Sequence, residues 1–289
     1  MTQGRDSDGC GAGLPIRTCT LLYQRRQPES RNPYCHKIDP EGNQLPYIDA
    51  QRYTFVETAE MLKLKAIAGE IDMQLRTIDL AAYPILAENA EKGDSRLILW
   101  ESLGTGTVVF FNHTLLKDDA VKALNNDVRW RKAISHCIDR DEINELVHLG
   151  LAGPIQGCFP ASFASEEVLW EPFAYDLDKA NALLDELGLD GRDAEGWRTL
   201  SDGSPLAITL EAFDAPVHVD TTELVAAKMR EVGINVGTKA VTYDQWWDRI
   251  YTSEYQITMY GKNNSGPLLQ PIYARAYTPV AHSTYWAPE

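Results

Sequence analysis

The residues of this chain able to do acid–base, nucleophilic or metal chemistry are six histidines, five cysteines and 42 acidic side chains. Their spacing assembles none of the usual machinery. There is no G-x-S-x-G nucleophile elbow, no H-E-x-x-H zinc helix and no G-x-x-x-x-G-K-S/T phosphate loop. Among His36, His113, His136, His148, His218 and His282, none lies two to four residues from another, so no turn of backbone brings two imidazoles to one metal. His136 sits in an amphipathic stretch, where packing is the expected role. Cys10, Cys19, Cys35, Cys137 and Cys158 are odd in number and form no C-x-x-C, which reads as scattered thiols. Gly104-Thr105-Gly106 has the start of a dinucleotide loop but lacks the third glycine. It also precedes a strand, so no helix dipole would face a pyrophosphate. No cofactor and no metal are expected. The acidic runs Asp118-Asp119, Asp139, Asp141-Glu142 and Glu166-Glu167 read as solvated faces and helix caps. A glycosidase would need two carboxylates facing each other across a cleft, and that reading stays open as an alternative.

The aromatic residues carry more information. Trp246 and Trp247 are adjacent in a helical stretch and point about 100° apart, so only one can join a core stripe. Leaving the other exposed is costly unless it has a purpose. Tyr260, Tyr273, Tyr277, Tyr285 and Trp286 add rings toward the C-terminal side. Aromatic faces suit peptide or sugar ligands. The competing reading is that they pack the edge of a sheet.

The elements that would position these residues follow from spacing. Hydrophobic residues make up 44% and charged residues 24%, the balance of a packed globular chain. A net charge of −15 disfavours a nucleic-acid partner, because phosphate contacts need a basic surface. No apolar run approaches the ~20 residues of a membrane helix, and Met1 to Cys19 is Gly-rich and polar, without the apolar stretch of a secretory leader. Residues 1–30 show no convincing periodicity, and Arg31 to Pro46 is loop-like. Strands are expected over Gln51 to Val56, Arg96 to Trp100, Thr107 to Phe111, Leu206 to Ala212, Ile234 to Val241 and Tyr255 to Tyr260. Helices are expected over Thr58 to Ala68, Asp127 to Leu149 (split near Asp139), Asp176 to Leu187, Asp220 to Val232 and Tyr243 to Tyr251. Strands alternating with helices in the second half give an α/β layered domain.

Several segments together resemble the extracytoplasmic solute-binding proteins of ABC importers that take up oligopeptides, dipeptides and nickel (family 5). They are Arg31-Asn32-Pro33-Tyr34 with Gly42 to Asp49, Leu64 to Asp72, and Phe111-Asn112-His113-Thr114. Asp127 to Ser135 with Ile138-Asp139-Arg140, and Tyr175 through Gly188, complete the ordered set. The resemblance implies a periplasmic-binding-protein-like α/β fold of two lobes that close over a solute by hinge motion, without chemistry. Relative to that family the chain looks incomplete. It would hold a poorly ordered segment (1–30), part of lobe I (31–104) and most of lobe II (105–289). Gly104, Gly106, Phe111 and Asn112 would form the hinge. Trp246, Trp247, Tyr260, Asn263 and Asn264 would contact the ligand.

Peptide-binding relatives often carry an Asp in a Trp-x-x-Asp segment that pairs with the peptide amine. The matching stretch here is Tyr260-Gly261-Lys262-Asn263, where Asn263 is neutral and cannot make that charge-assisted bond. The resemblance therefore implies an oligopeptide ligand, with an oligosaccharide as the alternative ligand. It also implies an ABC permease partner, a monomer, and a parent protein that is periplasmic or anchored outside the membrane. The remaining alternatives are a carboxylate-based glycoside hydrolase and a truncated fragment that binds nothing.

Overall fold

Local punctuation explains where most elements begin and end. The computed structural model describes residues 29–74, 78–99, 105–115, 117–153 and 174–262. They fall into two compact units divided between Leu99 and Trp100.

In unit 1, the strands β1 (Glu29–Ser30) and β2 (Ala50–Gln51) pair antiparallel. Helix α1 (Ala59–Ile67) starts at Thr58, whose side chain accepts a hydrogen bond from Met61 N. It ends before Gly69, whose φ of +70° is a conformation open to glycine. A side chain at Gly69 would also meet the backbone carbonyl of Gly93. A turn of 3-10 helix capped by Asp79 leads into α2 (Tyr83–Glu88). Two expected strands are absent. Residues 52–56 are irregular after the two-residue β2, and residues 95–99 form no strand. Alternation of ring and polar residues supplies only a preference, and here no partner strand among the described residues satisfies it.

Unit 2 is an α/β layer. Its strands are β3 (Thr105–Phe111), β4 (Ala207–Phe213), β5 (Asn235–Val241) and β6 (Ile257–Lys262), in the order β3-β6-β4-β5. β4 runs parallel to both β5 and β6, while β3 is antiparallel to β6, with a register shift between Thr105 and Val108. The helices are α3 (Asp119–Asn126), α4 (Val128–His136), α5 (Arg140–His148), α6 (Leu177–Glu186), α7 (Pro216–Glu231) and α8 (Tyr243–Tyr251). Asp118, Asp127, Asp139 and Asp176 each accept a backbone N–H at the start of α3, α4, α5 and α6. The acidic runs at 118–119 and 139–142 thus supply helix caps. α7 begins one turn earlier than its apolar pattern suggests, because Pro216 fits the first helical turn, where its missing N–H has no consequence.

The sheet is covered on both faces. Ile208 and Leu210 of β4 and Ile257 and Met259 of β6 share one core with Val225, Ala226 and Met229 of α7, Trp130, Ala133 and Ile134 of α4 and Leu184 of α6. On the other face Trp246 and Ile250 of α8 pack with Val241 and Tyr255. Arg198 is fully buried and ties this layer together. It donates to the carbonyls of Val232 (2.8 Å) and Leu189 (2.7 Å), to Asp185 (2.6 Å) and to Asn181 Oδ1 (2.8 Å).

A ring wall at the carboxyl edge of the sheet

Because β4, β5 and β6 are parallel, their carboxyl ends share one edge of the sheet, beside the amino end of β3. In α/β sheets that edge is where ligands collect, because loops and helix starts diverge there. In this chain it is built of rings. Phe213 ends β4, His218 lies in the first turn of α7, Tyr243 opens α8, and Tyr260 lies near the end of β6.

Tyr260 is the centre of the cluster. It stacks on Trp246 at 4.5 Å and 26°, lies 5.6 Å from Phe213, and faces His218 at 6.0 Å and 28°. Trp247 meets it edge-on at 6.2 Å. Offset-stacked and edge-to-face contacts of this kind are favourable for aromatic quadrupoles. The two tryptophans divide as their helical positions require. Trp246 is 1% exposed and part of the core. Trp247 is half-buried and continues outward along α8 to Tyr243 (6.2 Å) and Tyr251 (5.6 Å). The indole N–H of Trp246 donates to Thr258 Oγ1 (2.7 Å), and that hydroxyl donates to the carbonyl of Glu211 (2.9 Å). Arg249 of α8 grips the buried Glu211 carboxylate through Nε (2.6 Å) and Nη2 (2.5 Å). This bidentate pair fixes the helix that carries the outer rings.

His218 closes the wall on the α7 side. Its Nδ1 is 3.1 Å from Thr107 Oγ1, and its ring packs on Phe213 at 4.6 Å. Burial disfavours the imidazolium and lowers its pKa to about 4, with His148 pushing more weakly the same way. The edge therefore presents a neutral imidazole and phenol and indole faces near neutral pH.

Of the residues singled out from sequence, Trp246, Trp247 and Tyr260 come together, while Asn263 and Asn264 lie outside the described residues. Phe213, His218 and Tyr243 were not singled out, although they complete the wall. Only the pairing of distant strands brings them there. Gly104 lies outside the described residues, and Gly106 sits at the register shift of β3. Phe111 pairs with Ile257 inside the sheet. Asn112 is buried. Its amide donates to the carbonyls of Ser253 (3.2 Å) and Tyr255 (2.7 Å), and its Oδ1 accepts from Thr114 N (3.0 Å). These bonds lock the end of β3 to the approach to β6. His136, buried in α4, bonds through Nδ1 to the Ala174 carbonyl at 2.6 Å. Among the described residues, no group of three or more His, Cys, Asp or Glu could hold a metal ion, and no helix is long and apolar enough to cross a membrane.

Residues 29–282 match the family described as bacterial extracellular solute-binding proteins, family 5 Middle. The chain is similar to the periplasmic alpha-galactoside-binding protein of Rhizobium meliloti, 26% identical over 254 residues, covering 80% of this chain and 35% of that protein. It is similar to the dipeptide-binding protein of Escherichia coli, 25% identical over 251 residues, covering 86% of this chain and 42% of that protein. Among solved structures, the oligopeptide-binding protein OppA superposes with a TM-score of 0.62 at 32% identity, over 89% of this chain and 42% of that one. The chain thus spans well under half the length of these relatives. The mixed α/β architecture agrees with that of the solved structure, and the family match spans all the described residues of both units. The chain belongs to the bacterial extracellular solute-binding proteins, family 5.

Proposed function

We propose that this chain supplies the solute-contacting part of the binding subunit of an ABC importer, and that it holds its solute without altering it. The family match over residues 29–282 is the observation that carries this reading. The ring wall around Tyr260 is the contact surface, and Asn263 and Asn264 are further candidate contacts by the family resemblance. An oligopeptide is the first candidate solute, supported by the similarity to dipeptide-binding and oligopeptide-binding proteins. Backbone amides lying against aromatic faces would give broad side-chain tolerance. An oligosaccharide is the second candidate, favoured by the similarity to an alpha-galactoside-binding protein and by the uncharged rings of the wall. The subunit works outside the cytoplasmic membrane as a monomer and delivers to a membrane permease. The hinge for closure is assigned to Gly104, Gly106, Phe111 and Asn112, as the family resemblance implies.

The test is a thermal-shift screen with di- to hexapeptides and neutral oligosaccharides, because a ligand bound only by the folded state raises the melting temperature. Stabilisation by one of the two classes is the expected result. A protein unmoved by every member of both classes contradicts the reading.

A further inference from the structure

We propose, resting on the solute-binding reading above, that His218 orients the solute on the ring wall by donating its Nε2–H to an uncharged oxygen of the solute, and that Thr107 is the positioning residue that keeps the proton on that nitrogen. Ring faces attract a solute but fix its direction poorly, so a pocket of this kind depends on a few placed polar atoms. The indole N–H of Trp246 is already committed to Thr258. His218 is held at one ring nitrogen and open at the other. Its Nδ1 lies 3.1 Å from Thr107 Oγ1. Its Nε2 has no partner among the described residues, and it is not among the side-chain atoms that are both sealed from solvent and unpartnered. A residue only 7% exposed therefore keeps one polar atom open, beside the rings of Phe213 and Tyr260.

The tautomer follows from Thr107. Its hydroxyl proton has no other acceptor among the described residues, so it goes to Nδ1, and the imidazole carries its own proton on Nε2. Burial disfavours the imidazolium, so near neutral pH the ring offers an uncharged donor.

Two local features hold the pair in place. On β3 the three steps from Thr105 to Val108 face two on β6, from Lys262 to Tyr260, so one extra residue is inserted beside the wall. Val108 is the partner of Tyr260, and in a regular ladder Thr107 would take the opposite face. The inserted residue removes that alternation, and the Thr107 hydroxyl meets the imidazole that also faces the Tyr260 ring. On α7 the backbone of His218 is fixed on both sides. Its N–H donates to the Ala215 carbonyl (2.9 Å), and its carbonyl accepts from Thr222 Oγ1 (2.6 Å). The donor is thus aimed before any solute arrives. A neutral N–H pairs with a carbonyl or hydroxyl oxygen and gives nothing to an ammonium. A peptide carbonyl and a sugar hydroxyl both meet that need.

Titration calorimetry of the 289-residue chain with acetyl-trialanine amide and, separately, with raffinose tells the two sources of the oxygen apart. One of the two should bind. His218→Leu and His218→Asn should weaken it about tenfold, because the Asn amide reaches only the Nδ1 position. His218→Gln, whose amide N–H reaches the Nε2 position, should stay within about threefold of the parent. In the solute-free chain, nitrogen-15 imidazole spectra should show His218 with a bare Nδ1 and a protonated Nε2, its signals identified by their loss in His218→Gln. Thr107→Val should mix the two tautomers and weaken binding about threefold, and Thr107→Ser should restore both. A protonated Nδ1 in the parent chain, unchanged affinity in His218→Leu, or an equal loss in His218→Gln and His218→Leu overturns the inference and leaves the solute-binding reading standing. Failure of both probes to bind also overturns it, and silence across the whole thermal-shift screen then removes the solute-binding reading as well.

Discussion

Tyr260 touches Trp246, Trp247, Phe213 and His218 at once, so the solute account is most exposed to failure at this side chain. Tyr260→Leu keeps apolar bulk but removes the ring face. It should weaken solute binding about tenfold by titration calorimetry, with a smaller effect on the melting temperature. His218 gives a prediction of a different kind. Its ordinary pKa is 6.5 and its folded value about 4, so between those values the unfolded chain takes up a proton that the folded chain refuses. Stability should therefore fall as pH drops from about 6.5 toward 4, by up to about 3 kcal/mol from this group, and be insensitive to it above that window. Thermal melts between about pH 7 and pH 4.5 measure the slope, and His218→Gln should flatten it in part, leaving the contribution of the half-buried His148. Arg198 is the main polar commitment of the core. Arg198→Met would remove the donor to the Leu189 carbonyl and leave the Val232 carbonyl only its longer bond from Arg192 (3.4 Å), and should cost about 3 kcal/mol in denaturant titration. The split between Trp246 and Trp247 was legible from helical geometry alone. His218 was not, because the residues that make it part of the wall, Thr107, Phe213 and Tyr260, come from three different strands.

Elements were legible where the sequence punctuates them. Asp176 and Gly188 bracket α6, and Thr242 with Gln245 forms a capping box that starts α8 where its spacing predicts. Thr242→Ala should cost about 1 kcal/mol and, by loosening α8, also weaken solute binding. α3 escaped notice because it is short and Asp127, which closes it, also caps α4, so the two helices lack a visible break. The two missing strands of unit 1 show the opposite error, in which local alternation suggested pairing that the described residues do not make. Gly233, at φ +84° after α7, lies under the guanidinium of Arg192, and a methyl group there would collide with it. Gly233→Ala should destabilise by about 1–2 kcal/mol in the same titration, through both the backbone conformation and the displaced arginine.

For the whole molecule, the family was legible because its motifs keep their order along the chain, from Arg31-Asn32-Pro33-Tyr34 to Leu187-Gly188. The ring wall proposed as the contact surface was not, since neighbours in space there are more than a hundred residues apart in sequence. Unit 2 has a layered core and unit 1 a sparse one, which predicts early exchange of unit 1 amides and late exchange of α4, α6 and α7. The most direct measurement of the central claim is titration calorimetry with the best solute from the screen, followed by mass spectrometry of the recovered solute. Saturable binding with the solute mass unchanged, weakened by Tyr260→Leu, is the predicted result. A solute cleaved or modified by the protein, or bound equally well without the Tyr260 ring, would contradict the account.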